Sequence, residues 1–223
     1  MISLSHVSAS INGTEVLHDI TLDVAPQEFV FVIGPSGAGK STLLRLLNFD
    51  LLPSAGDVRV REFLSREMTS RRLPMARRHL GVVFQDFRLL EDRNAFENVA
   101  VALYVTNTPR KKIRMRVLDV LAEVGLGDKR DKLPSELSVG EQQRLAIARA
   151  VANEPYVLLA DEPTANLDPQ TAKEIVDLLK DINRLGTSVI MATHDYDLLP
   201  MVQGATIVKI DKGRLVDARG INV

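Results

Sequence analysis

Five short apolar runs, at residues 29–33, 81–84, 156–160, 188–192 and 206–210, constrain the fold of this 223-residue chain more than any other feature. They are rich in Val, Ile and Phe and lack alternation, the pattern of strands covered on both faces. Helical periodicity lies between several of them, so an α/β fold with a largely parallel sheet is predicted. Segments 2–7 and 15–24 alternate more and read as an antiparallel N-terminal edge. Three helices can be placed. One runs over 40–48. One follows Ser138, where Ser138 and Glu141 form a capping box, and continues through Ala152. The third starts at Asp168, with Pro169 at its first position, and stops near Gly186. Residues 86–154 are mostly helical in pattern. They read as a helical subdomain inserted into a core of residues 1–85 and 155–223, within one domain.

Composition limits the function classes. A formal net charge of -1 supplies no field for general polyanion binding. The absence of cysteine excludes disulfides and thiolate metal sites. The first ten residues lack a basic stretch followed by an apolar core, so no secretion signal is expected. The apolar runs fall far short of the roughly 20 residues that span a bilayer. Any membrane role is therefore expected to come through a partner.

Gly34-Pro35-Ser36-Gly37-Ala38-Gly39-Lys40-Ser41-Thr42 fits the phosphate-loop pattern G-x-x-x-x-G-K-[ST]. Glycines let the backbone turn its N–H groups towards phosphates, and the following helix points its positive end at them. Lys40 suits the β and γ phosphates, and Ser41 suits Mg²⁺. A chance Gly-rich turn would not require an apolar strand before the loop and an apolar helix after it. Both are present here.

Asp161 and Glu162 follow the run 156–160. A strand end delivers such a pair to the edge of the sheet, where α/β proteins bind ligands. Asp161 suits direct or water-mediated contact with Mg²⁺, and Glu162 suits a general base that polarises water. A solvated acidic turn before Pro163 explains the pair equally well in isolation; beside a phosphate loop the functional reading prevails. The capping box explains Ser138 and Glu141 but not Gly140, a poor helix former. Gly140 makes sense if something approaches the backbone closely. A helix start with free N–H groups and a serine hydroxyl is an anion site. Two phosphate-directed helix starts on one chain suggest a nucleotide held between two chains.

In this combination the residues resemble the ATP-binding cassette (ABC) ATPases over nearly the whole chain. Residues 34–42 are similar to the Walker A loop and Gln85 to the Q-loop glutamine. Residues 137–143 are similar to the signature motif and 158–162 to Walker B with its catalytic glutamate. Residues 165–168 are similar to the D-loop, and His194 to the switch histidine. The resemblance implies a P-loop fold and two copies packed head to tail, with ATP and Mg²⁺ in composite sites. It gives Glu162, His194 and Gln85 catalytic roles, and assigns Ser41, Gln85 and Asp161 to the metal. Ser138 and Gly140 would meet the γ-phosphate on the partner copy. Two departures stand out. Ile11 occupies the region where the family often stacks an aromatic ring on adenine, so base contact is expected to be apolar and less selective. Val139 replaces the usual glycine of Ser-Gly-Gly, which is expected to lower activity.

Phe84-Gln85-Asp86-Phe87-Arg88-Leu89-Leu90 is similar to the cell-division branch of the family. That resemblance implies a peripheral position at the cytoplasmic face of the bacterial inner membrane. It also implies an integral four-helix partner of the FtsX type, through which ATP-driven motion controls cell-wall hydrolases. Phe87, Leu89 and Leu90 then read either as a docking surface or as core beneath the Q-loop. The ATPase of a lipoprotein-release or macrolide-type exporter would carry the same catalytic set. A third class, soluble ABC ATPases acting on nucleic acid, would use the basic stretch from Arg59 to Arg78. A solvated face explains that stretch as well, and no direct nucleic-acid contact is expected.

Overall fold

A computed structural model describes residues 2–106 and 108–220; Met1, Asn107 and residues 221–223 of the expected single domain lie outside the described residues. Strands β1 (Ile2–Ile11) and β2 (Thr14–Val24) form a hairpin. β3 (Phe29–Ile33) leads into α1 (Lys40–Leu47). β4 (Ala55–Val60), β5 (Phe63–Leu64), the short α2 (Leu73–Arg77) and β6 (Leu80–Val83) follow. Three helices come next: α3 (Ala95–Val105), α4 (Arg110–Glu123) and α5 (Val139–Val151). The chain ends with β7 (Val157–Asp161), α6 (Pro169–Arg184), β8 (Ser188–Thr193), β9 (Thr206–Asp211) and β10 (Arg214–Gly220).

Two sheets result. The larger has the order β10-β9-β3-β8-β7-β6 and is parallel except for β10, which pairs antiparallel with β9. The smaller is antiparallel, in the order β2-β1-β4-β5. The N-terminal pair expected as an antiparallel edge is thus the body of this second sheet.

The unbroken apolar runs have a direct physical cause. Phe29, Phe31 and Ile33 face the core built with α3, α4, α5 and α6. Val30 and Val32, on the opposite face of the same strand, join α1 and the smaller sheet in a second core. β7 and β8 divide in the same way: Leu158 and Val189 lie on one side, Leu159 and Ile190 on the other. A strand buried on both faces leaves little room for polar residues, and β8 keeps only Ser188 and Thr193, at its two ends.

The topology fixes the site. β3, β8, β7 and β6 are adjacent and parallel, so their C-terminal ends emerge at one edge. The phosphate loop, His194, the Asp161-Glu162 pair and Gln85 are the residues that leave those four ends. This is where open α/β sheets place their ligands.

Candidate nucleotide site

The phosphate loop is held from within. Gly39, the N-cap of α1, has φ 110°, and a Cβ there would come within 2.7 Å of Leu17 Cδ2. No side chain caps α1, so its first-turn N–H groups are not covered by one. The Pro35 carbonyl accepts from the Ala38 N–H at 3.1 Å, and Ala38 is buried. Lys40 is only 6 % exposed. Its ammonium donates to the Gly34 carbonyl at 2.8 Å and the Pro35 carbonyl at 3.3 Å, and lies 3.2 Å from Glu162 Oε1. A buried charge needs such partners, because desolvation without them costs several kcal/mol, on the order of the Born penalty after relaxation.

Glu162 joins two functional groups. Its Oε1 meets Lys40, and its Oε2 lies 2.8 Å from His194 Nδ1. Its backbone has φ 47°, a left-handed conformation that costs a non-glycine residue about 1–2 kcal/mol. Two hydrogen bonds hold it there: the Glu162 N–H donates to the Ala192 carbonyl, and the Ala165 N–H to the Glu162 carbonyl. Strain of this kind concentrates at functional sites.

Asp161 turns to the other side. Ser41 Oγ donates to Asp161 Oδ1 at 3.0 Å. Burial pushes the Asp161 carboxyl above the ordinary carboxylate range; the Ser41 hydroxyl opposes this, the Glu162 charge adds to it, and Lys40 opposes it. A hydroxyl and a carboxylate are hard oxygen donors, the set that suits Mg²⁺ completed by phosphate oxygens and water. Among the described residues no cluster of three or more His, Cys, Asp or Glu could hold a metal by itself.

Ser36, Gly37, Gly39, Lys40, Ser41, Thr42, Gln85 and Glu162 line one cavity of about 300 Å³. Asp161 lies beyond Ser41 in a neighbouring cavity of about 520 Å³ that Arg88 and Phe84 also line. Ile11, Ser138 and Gly140 are among the expected residues that do not line the Lys40 cavity. Ile11 ends β1, paired with Thr14 across the hairpin. Ser138 and Gly140 start α5, where the Ser138 hydroxyl accepts from the Glu141 N–H and Glu141 Oε2 accepts from the Ser138 N–H. The close approach expected at Gly140 exists, but it comes from the same chain. A Cβ on Gly140 would lie 2.6 Å from Thr171 Cγ2 of α6.

Sequence reasoning missed three residues. Val16 of β2 lines the Lys40 cavity; only the passage of β2 beside the loop puts it there, and no local pattern signals that. Thr171 sits under Gly140. Arg149 of α5 donates to the carbonyls of Phe87 and Arg88 at 2.6 and 2.5 Å, gripping two consecutive residues with φ of 54° and 51°. Of the docking candidates, Leu89 packs against the core, Phe87 is half-buried and Leu90 is exposed. In the basic stretch, Arg66 and Arg72 pair with Asp57 and Glu67, Arg77 with the end of α1 and Asp50, and Arg61 lies over the Tyr156 ring.

The description of the ABC transporter family matches residues 17–165, two thirds of the chain. The chain belongs to that family. It is an ATPase of ABC type. The cassette is 48 % identical to the cell division ATP-binding protein FtsE of Mycobacterium tuberculosis, over 99 % of this chain and 97 % of that protein. It is 44 % identical to the methionine import ATP-binding protein MetN of Escherichia coli O157:H7, over 97 % of this chain and 64 % of the longer relative. Among solved structures it superposes on the dimeric ATP-binding cassette MJ0796, in a post-hydrolysis state bound to ADP and Pi. That match has a TM-score of 0.88 and 32 % identity and covers 100 % of both chains.

Proposed function

We propose that two copies of this cassette close head to tail around two ATP molecules. Closure would drive an integral membrane partner of the four-helix FtsX type in bacterial cell division, and through it the control of cell-wall hydrolases. One observation carries the chemistry: Glu162 bridges Lys40 and His194 at the mouth of the phosphate loop. Lys40 and the loop N–H groups hold the β and γ phosphates. A γ-phosphate brought to Lys40 competes with Glu162 for the same ammonium, which releases the carboxylate to take a proton from the attacking water. His194 keeps the carboxylate oriented and stabilises the γ-phosphate region. Ser41 and Asp161, with Gln85 at the cavity, would hold Mg²⁺, which would supply neutralisation of the phosphate charge. Ser138 and Gly140 serve the ATP of the other copy, and Ile11 offers apolar contact to the base.

The cell-division assignment is supported by the likeness to FtsE. In this reading Phe87 and Leu90 meet the partner. No helix among the described residues is long and apolar enough to cross a membrane. In this reading the cassette sits peripherally on the cytoplasmic face, held by that partner. The likeness to MetN favours a second reading, the ATPase of a transporter, and the catalytic set serves both. Glu162→Gln should retain ATP, slow single-turnover phosphate release by 10²-fold or more, as loss of a general base does, and accumulate as a dimer. Near-normal turnover would remove Glu162 as the base. Affinity purification of the tagged chain from native membranes then separates the partner readings. A four-helix protein with division components supports the first, and a larger permease supports the second.

A further inference from the structure

We propose that the corner where α3 ends and α4 begins is a contact surface for an anionic lipid bilayer, used by this chain in its own right. The sequence reading gave the chain a membrane role only through a partner. Three observations on this corner point beyond that.

The first is charge. Arg110, Lys111, Lys112, Arg114 and Arg116 place five cations in seven residues of a chain whose net charge is -1. Arg116 is engaged by Glu123, Glu154 and the carbonyls of Val151 and Ala152. Among the described residues, Arg110, Lys111, Lys112 and Arg114 form no ion pair, and all four side chains are exposed. In the stretch from Arg59 to Arg78, by contrast, several arginines have internal partners.

The second is position. These cations occupy the first two turns of α4, whose first turn has no acidic residue and whose N-cap, Pro109, makes no side-chain bond. Positive charge at a helix N-terminus opposes the macrodipole. The internal stability of α4 favours the opposite arrangement, so an external anion is what makes this one favourable.

The third is the apolar rim, which selects among anions. Tyr104, Val105 and Met115 are 57 %, 66 % and 64 % exposed. Met115 and Lys112 line an open cavity of about 810 Å³ together with Leu103, Thr106 and Arg78. Tyr104 and Val105 lie between Leu103 and Thr106 in the chain, at the end of α3. Cations interleaved with exposed apolar side chains suit an interface where phosphate headgroups border acyl chains. Free phosphate or a nucleic-acid backbone would leave the apolar side chains in water.

The chain has no tryptophan, so Tyr104→Trp is a clean reporter. The variant is mixed with vesicles of phosphatidylcholine alone, or of phosphatidylcholine with phosphatidylglycerol, with and without brominated acyl chains. The expected result is a blue shift and bromine quenching on the anionic vesicles only, weakened by salt. Sedimentation of the unmodified chain with the same vesicles is the second readout. Each cation near such a surface changes partition about fivefold. The triple variant Lys111→Gln, Lys112→Gln, Arg114→Gln should therefore bind about 100-fold more weakly while keeping its basal ATPase rate. Equal behaviour on both vesicle types, or unchanged binding by the triple variant, would overturn the proposal. A short DNA duplex that gives the same shift would also overturn it, by reassigning the patch to polyanions in general. No membrane protein takes part, so these outcomes are independent of the partner reading.

Discussion

Gly140→Ala separates two reasons for a glycine at the start of α5. A Cβ at this position would lie 2.6 Å from Thr171 Cγ2, and its next contacts are at 3.9 Å. Carbon atoms prefer about 3.5–4.0 Å, so the overlap is about 1 Å. Thr171 cannot rotate away without loss, because its hydroxyl donates to Asp168 Oδ2 and its N–H to Asp168 Oδ1. The helices must separate or the Asp168 cap must open, an overpacking cost of about 1–3 kcal/mol. Replacing a helical glycine by alanine returns at most about 1 kcal/mol, and less at this second position of the helix. Gly140→Ala should therefore destabilise the chain by about 1–2 kcal/mol in urea denaturation. Thr171→Ser deletes the methyl and keeps the hydroxyl. Adding Gly140→Ala in that background should cost nothing, giving a coupling of at least about 1 kcal/mol in the double-mutant cycle. If Gly140 also admits the nucleotide of a second copy, the double variant regains stability but not ATPase rate. A Gly140→Ala chain of unchanged stability, or no recovery with Thr171→Ser, would refute the packing argument.

Two other perturbations follow from the site. Burial raises the Asp161 pKa above its ordinary value of 3.8, so the folded state keeps this proton to higher pH than the unfolded state does. Stability contributed by this group falls as pH rises from about 3.8 through the raised value, and the ionised carboxylate is a net cost at neutral pH. Asp161→Asn should raise the unfolding midpoint of the nucleotide-free chain at pH 7, and the difference should vanish in acid; a lower midpoint at pH 7 contradicts this. Arg149→Lys replaces a fork that spans two carbonyls with a single ammonium. It should lower stability by about 1–3 kcal/mol and increase amide exchange over residues 84–90, with Arg149→Ala worse on both; unchanged exchange there would show that the left-handed pair at Phe87 and Arg88 holds itself.

The sequence was most informative where burial acts on both faces of a strand. The five apolar runs lie within a residue of the observed β3, β6, β7, β8 and β9. The shift at β7 has a local cause: Tyr156 is 47 % exposed, its ring stacked on His79 under the Arg61 guanidinium, so the ladder starts at Val157. β5 escaped notice because it has two residues, and β4 because half of it is exposed, so neither an apolar run nor a long alternation marks them. Capping chemistry placed α5 and α6, since Ser138 and Asp168 bond N–H groups two or three residues on, while the phosphate-loop pattern placed α1. The grouping of Lys40 with Glu162 and of Ser41 with Asp161 follows from the strand order 3-8-7, which motif order alone does not contain. Val16, Arg149 and Thr171 depend on contacts between elements distant in sequence, and each residue type is ordinary for the element it sits in.

That last contact links parts of the site that sequence treats as separate. Asp161 and Glu162 leave β7 beside the phosphate loop, and six residues beyond Glu162 Asp168 caps α6 through the N–H groups of Gln170 and Thr171. Thr171 in turn fills the space a side chain at Gly140 would need, directly against the start of α5. The segment from Asp161 to Asp168 is therefore anchored at both ends, on Ser41 and Lys40 at one and on α5 at the other. A displacement of Glu162 on contact with phosphate has little slack to absorb it: Ala165 is bonded back to Glu162 and Leu167 to Thr164 within the segment. It reaches the Asp168 cap, and from there the helix start at Ser138, through packing that holds a methyl group with no room to spare. In the head-to-tail pair proposed above, that start would face the other copy's nucleotide, and a phosphate sensed by Glu162 in one site would then be mechanically tied to the donor groups offered to the second.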